Sequence, residues 1–163
     1  MKKIAWILTL FLFTTLSSVT FAAERYQWMT SDDRKGFFFD TRTIEFGKNY
    51  YTGKTDFQTV RVWIKTEYTE KGVNERLASR EEKGLDNSGF YDLSYSLDRY
   101  EINSNANTIL YLSGADYKEN GLVIRSYRTE YIPQSIVPDS VGEMWSKEVF
   151  IYAYLHLSDI PAK

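Results

Sequence analysis

The sequence predicts an α+β fold, an antiparallel meander of about six strands with one C-terminal helix packed on it. Three observations carry this prediction. Residues 25–131 break into short runs of alternating or apolar character, each bounded by polar turn residues. The turns between these runs are too short for crossovers, which favours antiparallel neighbours. Only residues 140–157 carry a helical start signal. A closed barrel or sandwich is the alternative, because both faces of residues 109–112 are apolar.

The elements follow in order. Over residues 25–30, Tyr26 and Trp28 alternate with Arg25 and Gln27, and a polar turn leads to a returning strand at 37–40. Asp40, Thr41, Arg42 and Thr43 have short polar side chains that fold onto their own backbone. Residues 48–56, with Gly53, read as a loop. The clearest strand is 58–68, with Val60, Val62 and Ile64 on one face and Arg61, Trp63, Lys65 and Glu67 on the other. Residues 74–83 could make two or three helical turns, but Leu77 and Ala78 are their only apolar side chains. The whole of 69–89 is therefore expected to be a solvated excursion between strands.

From Tyr91 the alternation is regular. Tyr91, Leu93, Tyr95 and Leu97 point one way and Asp92, Ser94, Ser96 and Asp98 the other, as in a strand with one face in water. Residues 103–107 turn the chain, 108–117 runs back, Asn120-Gly121 closes a hairpin, and 122–131 is the last strand. Pro133 and Pro138 then break the pattern. Ser140 and Glu143 have the spacing of a capping box, in which serine oxygen and glutamate carboxylate each take a backbone N–H. Val141, Trp145, Val149, Tyr152 and His156, with Met144 and Ala153 beside them, form the expected inward stripe. Beyond Val149 the helix is apolar nearly all round, as for a helix sunk between sheet and loop or one that meets a partner.

Residues 1–22 read as an export leader: Lys2 and Lys3, an apolar run over 4–16, and a small-x-small signal at Thr20-Phe21-Ala22. The apolar run is shorter than the roughly 20 residues a spanning helix needs. The expectation is a single globular domain over 23–163, exported to the periplasm or secreted, with surface association left open and no membrane span after cleavage. The formal charge is −2, and losing Lys2 and Lys3 makes the rest more acidic. With no basic block, nucleic acid is excluded as a partner class. The sequence has no cysteine, so disulfides, thiolate metal sites and cysteine nucleophiles are excluded.

The residues that carry chemistry are few. His156 is the only histidine, which speaks against a multi-histidine metal site or a Ser-His-Asp triad. Asp32-Asp33 reads as a solvated turn pair, and Asp116 and Glu119 as flanks of the 118–121 hairpin. Asp86-Asn87-Ser88-Gly89 lacks the alternating oxygens and distal glutamate of a calcium loop. A carboxylate-pair hydrolase therefore ranks last, and no catalytic residue, metal site or cofactor is assigned. The aromatic content, 17%, is the remaining signal. Trp63 falls on the polar strand face between Arg61 and Lys65, either under the stems of those two side chains or as part of a patch for which Tyr111 and Tyr127 are further candidates, their register being open. Such a patch has the composition of a binding surface.

Several segments together resemble the surface-adhesin E-like proteins of bacterial envelopes. They are Trp28, residues 38–44 (FFDTRTI), 60–65 (VRVWIK), 117–121 (YKENG) and 136–140 (IVPDS). The resemblance spans most of residues 23–163, and the family's lipid-attachment and paired cysteines are missing. It implies an antiparallel sheet with a C-terminal helix, dimerisation, and adhesion to host proteins. Residues and resemblance together lead to an exported, non-enzymatic binding protein. Its contacts are expected through the sheet face (Trp63, Arg61, Lys65) or the helix (Phe150, Tyr154), with a homodimer through that helix as a further partner. A small periplasmic carrier of an apolar ligand is the alternative.

Overall fold

The computed structural model describes residues 24–128 and 131–162, so the leader assigned to 1–22 lies outside the described residues. Eight strands run β1 (Tyr26–Ser31), β2 (Lys35–Asp40), β3 (Glu45–Lys48), β4 (Thr55–Tyr68), β5 (Leu93–Asn103), β6 (Thr108–Lys118), β7 (Val123–Arg128) and β8 (Gln134–Ser135). Among the described residues there are two α-helices, α1 (Glu70–Glu82) and α2 (Val141–Leu155), and two short 3-10 turns at Thr41–Thr43 and Phe90–Asp92. The main path is the antiparallel meander β1-β2-β4-β5-β6-β7, open at β1 and β7, so the sheet is not a closed barrel. Short β3 pairs with β4, and β8 pairs with β6.

The turns form as their residues dictate. Asp40 Oδ1 accepts the Arg42 N–H at 3.1 Å, and Thr43 Oγ1 donates to the Asp40 carbonyl. What read as a loop over 48–56 is the tight turn of a β3–β4 hairpin, where Asn49 Oδ1 accepts from the N–H groups of Tyr51 and Thr52. On the outermost strand the pairing skips between Trp28 and Thr30, leaving Met29 as an extra residue, a bulge whose side chain is buried.

The core lies on one sheet face under α2. Val60, Val62, Ile64 and Ile102 are completely buried, as alternation along β4 requires, and Phe39, Phe46 and Val149 join them. Ser140 caps α2 by accepting from the Glu143 N–H, and Glu143 Oε2 reaches back to the Asp139 N–H, one residue earlier than the expected reciprocal bond. Trp145 packs edge-on against Phe37, and Tyr152 against Phe39. The inward stripe differs from the expected one at two places. Val141 is exposed, and Phe150, off the stripe, is buried at 6%. Past the helix the chain returns to the sheet: the Phe46 N–H donates to the Pro161 carbonyl, and Ala162 bridges to Phe46.

The segment 69–89 is largely solvent-facing and contributes nothing to the hydrophobic core, as expected, but it is a helix longer than the two or three turns read from 74–83 and is docked by polar contacts. Thr69 caps α1 by accepting from the Gly72 N–H, and the helix lies against the sheet. A methyl group at Gly72 would run into the Arg34 backbone, so only glycine allows α1 to sit so close. Arg80 is buried over the Phe90 ring at 3.6 Å and bonds Asn87 and the Asp86 carbonyl. Periodicity missed α1 because polar contacts, not an apolar stripe, dock it.

Candidate functional site

The strand register decides the site. Ser96 lies opposite Asp116, and Asp98 lies opposite Gly114, which in turn faces Tyr127. Ser96 also faces Thr66, and Asp98 faces Ile64, so this polar row is on the covered face. From Ser96 on, the side of β5 read as facing water is therefore the covered side, while Tyr95 and Leu97 take the open side. At the start of the segment the expectation holds, with Leu93 buried and Asp92 exposed, and the register shift between Leu93 and Tyr95 is what exchanges the faces. Likewise Asp116 is a fully buried β6 residue, not a turn flank.

Asp98 accepts from the Ser96 hydroxyl at 3.0 Å and from the Tyr111 hydroxyl at 3.3 Å. Gly114 makes this possible, because a methyl group there would overlap both the Asp98 carboxylate and the Tyr111 hydroxyl. Asp116 Oδ2 faces an Arg76 guanidinium nitrogen from α1 at 3.5 Å. Among the described residues, Asp116 Oδ1 and Arg76 Nε, both buried, have no close hydrogen-bond partner, although the Tyr127 hydroxyl lies near enough to the Asp116 carboxylate to interact with it. Burial, reinforced by the Asp116 charge, raises the Asp98 carboxyl from 3.8 to about 6. Burial, with the nearby carboxylates, also pushes the Tyr111 and Tyr127 phenols well up. The sequence hid this pair because register brings Asp98 and Asp116 together. The available signal was Gly114 in mid-strand, two residues before an aspartate.

The residues singled out from sequence lie elsewhere. Arg61, Trp63 and Lys65 are on the open face, as their alternation implies. Arg61 pairs with Glu101 at 2.7 Å and Lys65 with Glu67 at 2.6 Å. Lys65 also spans the Tyr26 and Tyr95 rings, 5.1 and 4.8 Å from their centres, and Tyr95 stacks on Tyr117. These cations are thus engaged within their own sheet. Tyr111 belongs to the opposite face, where its hydroxyl meets Asp98, and Tyr127 faces Asp116 there.

On α2, Phe150 is a core residue wedged beside Tyr154, so it offers no contact surface. Tyr154 is half-exposed and donates to the Phe57 carbonyl at 3.1 Å. The outward residues are Ile151, 56% exposed, and Leu155, 76% exposed. They border an open groove of about 400 Å³ against Gln27 on β1. His156 closes the helix, stacked on Tyr152 with its Nδ1 2.8 Å from the Tyr152 carbonyl.

Asp32 and Asp33 are exposed, Asp32 accepting backbone N–H groups and Asp33 meeting Lys71. Asp86 accepts from Ser88, which is turn chemistry. Among the described residues, no three His, Cys, Asp or Glu side chains gather so as to hold a metal ion, and no helix is long and apolar enough to cross a membrane. No family model, curated protein or solved structure matches the chain.

Proposed function

We propose that this is an exported, non-enzymatic, adhesin-like binding protein that contacts another protein through the outer face of α2. The observation that carries the proposal is the solvent-facing pair Ile151 and Leu155, one turn apart, on a helix whose opposite side is fully packed. Large apolar side chains grouped on one exposed face are characteristic of contact surfaces. Half-exposed Tyr154 and Phe57 extend the patch. The sheet face around Trp63 supports contact less well, since Arg61 and Lys65 already have partners. An apolar carrier is the weaker reading, because Val149, Phe150 and Ala153 fill the space beneath the helix.

The test is capture from envelope and host-matrix extracts by the wild type, an Ile151→Asp/Leu155→Asp variant and Trp63→Ala. Loss with the helix variant and retention with Trp63→Ala is the expected result. Undiminished capture by the helix variant would overturn the proposal. A concentration-dependent dimer abolished by the same variant would replace the foreign partner with a second copy.

A further inference from the structure

The sheet face away from α2 holds an open depression of about 350 Å³, walled by Trp63 and Arg128 and floored by Ser113, Ala115 and Ser126. Strand register explains its shape. Trp63 on β4 lies opposite Arg99, Arg99 opposite Ser113 on β6, and Ser113 opposite Arg128 on β7. This row has large ends and a small middle, because Arg99 pairs with Glu45 at 2.5 Å instead of lying across it. In the next row Ala115 lies opposite Ser126, which extends the low floor. At its edge β6 is bulged: pairing passes from Tyr111 to Ser113 and leaves Leu112 as an extra residue.

The lining has binding capacity that the fold does not use. Lys65 spans Tyr26 and Tyr95, and Arg61 pairs with Glu101, so neither cation covers the Trp63 ring. Among the described residues, Trp63 stacks on no other ring, Arg128 has no ion pair, and the Ser113 and Ser126 hydroxyls make no hydrogen bond. The carboxylates of Glu45 and Glu101 on this face are matched by Arg99 and Arg61, so Arg128 brings a surplus positive charge to the depression.

We propose that this depression binds a sugar acid, such as a glucuronate unit of an acidic glycan. The electron-rich face of an indole attracts the C–H face of a pyranose ring. A guanidinium forks a carboxylate, and serine hydroxyls, which both donate and accept, suit a polyol. An aromatic acid would leave the two serines unused, and a neutral sugar would leave Arg128 unused. The volume lies at the low end of ligand pockets, roughly 300–1,000 Å³, as a single sugar ring with its substituents requires. The depression shares no residue with the α2 surface, so either reading stands if the other fails.

The experiment is an NMR titration of the isotope-labelled protein with glucuronate, glucose and phenylacetate. Glucuronate should shift the Trp63 indole signal and the Ser113, Ser126 and Arg128 amides, with a millimolar or tighter Kd. Glucose and phenylacetate should bind about tenfold more weakly or worse, as loss of a charged or several neutral hydrogen bonds implies. Arg128→Gln, at an exposed position, should weaken glucuronate about tenfold and leave glucose unchanged. Trp63→Leu should weaken both sugars. If it does not fold, Ser126→Leu, which fills the floor from an exposed position, takes its place and should do the same. The absence of localised shifts up to about 50 mM glucuronate would overturn the proposal. So would equal binding of glucose or of phenylacetate, or unchanged glucuronate affinity in Arg128→Gln.

Discussion

Replacing Asp98 with asparagine isolates the energetic consequence of burying its charge. Asparagine matches the carboxylate in shape, and the Ser96 and Tyr111 hydroxyls can rotate to accept from its amide. In the folded protein the Asp98 carboxyl titrates at about 6 against an ordinary 3.8, a difference of roughly two units. At 1.36 kcal/mol per unit this is about 3 kcal/mol, an upper bound because Asp98 is only half-buried. The folded state holds the proton more tightly than the unfolded chain. The stabilisation linked to that proton is complete below 3.8 and is lost as pH rises through about 6. Asp98→Asn carries no charge at any pH. Its stability relative to the wild type should therefore rise by up to about 3 kcal/mol between pH 4 and pH 8, measured as a difference in urea unfolding free energy. The comparison across pH cancels any fixed packing change. An equal difference at the two pH values would show that the Asp98 charge is not penalised by the fold, and the account of the buried pair would fail with it.

Three further outcomes follow from the packing. Gly72→Ala should destabilise by about 1–3 kcal/mol in urea unfolding, because α1 must move off the Arg34 backbone and the small gain in helix propensity does not offset this. Ser140→Ala, which removes the acceptor for the Glu143 N–H, should reduce stability by about 1 kcal/mol, and a threonine there should restore most of it. Ile64→Ala, at a position with no solvent exposure, should cost about 2–5 kcal/mol; a smaller loss would mean the core beneath α2 closes over the gap.

The meander was legible because period-two alternation and turn residues are local signals. Val60, Val62 and Ile64 on β4, the Asp40 turn and the Ser140–Glu143 cap all sit where the residues alone place them. What was hidden depends on contacts distant in sequence. The docking of α1 relies on Arg76, Arg80 and a close approach at Gly72, none of which makes an apolar stripe. The burial of Ser96 and Asp98 needs each other and Tyr111 from β6 as partners, so composition favours the wrong side of β5 there. Phe150 shows the same limit on α2, where an apolar residue on every side leaves packing to choose which ones go inward.

An open sheet exposes its first strand to pairing with another molecule, and the extra residue Met29 bears on that hazard. A continuous flat border six residues long could template a neighbour's backbone, whereas a kinked one presents its amides out of step. Removing Met29 is expected to straighten that border and leave its amides better aligned for pairing with a neighbour's backbone.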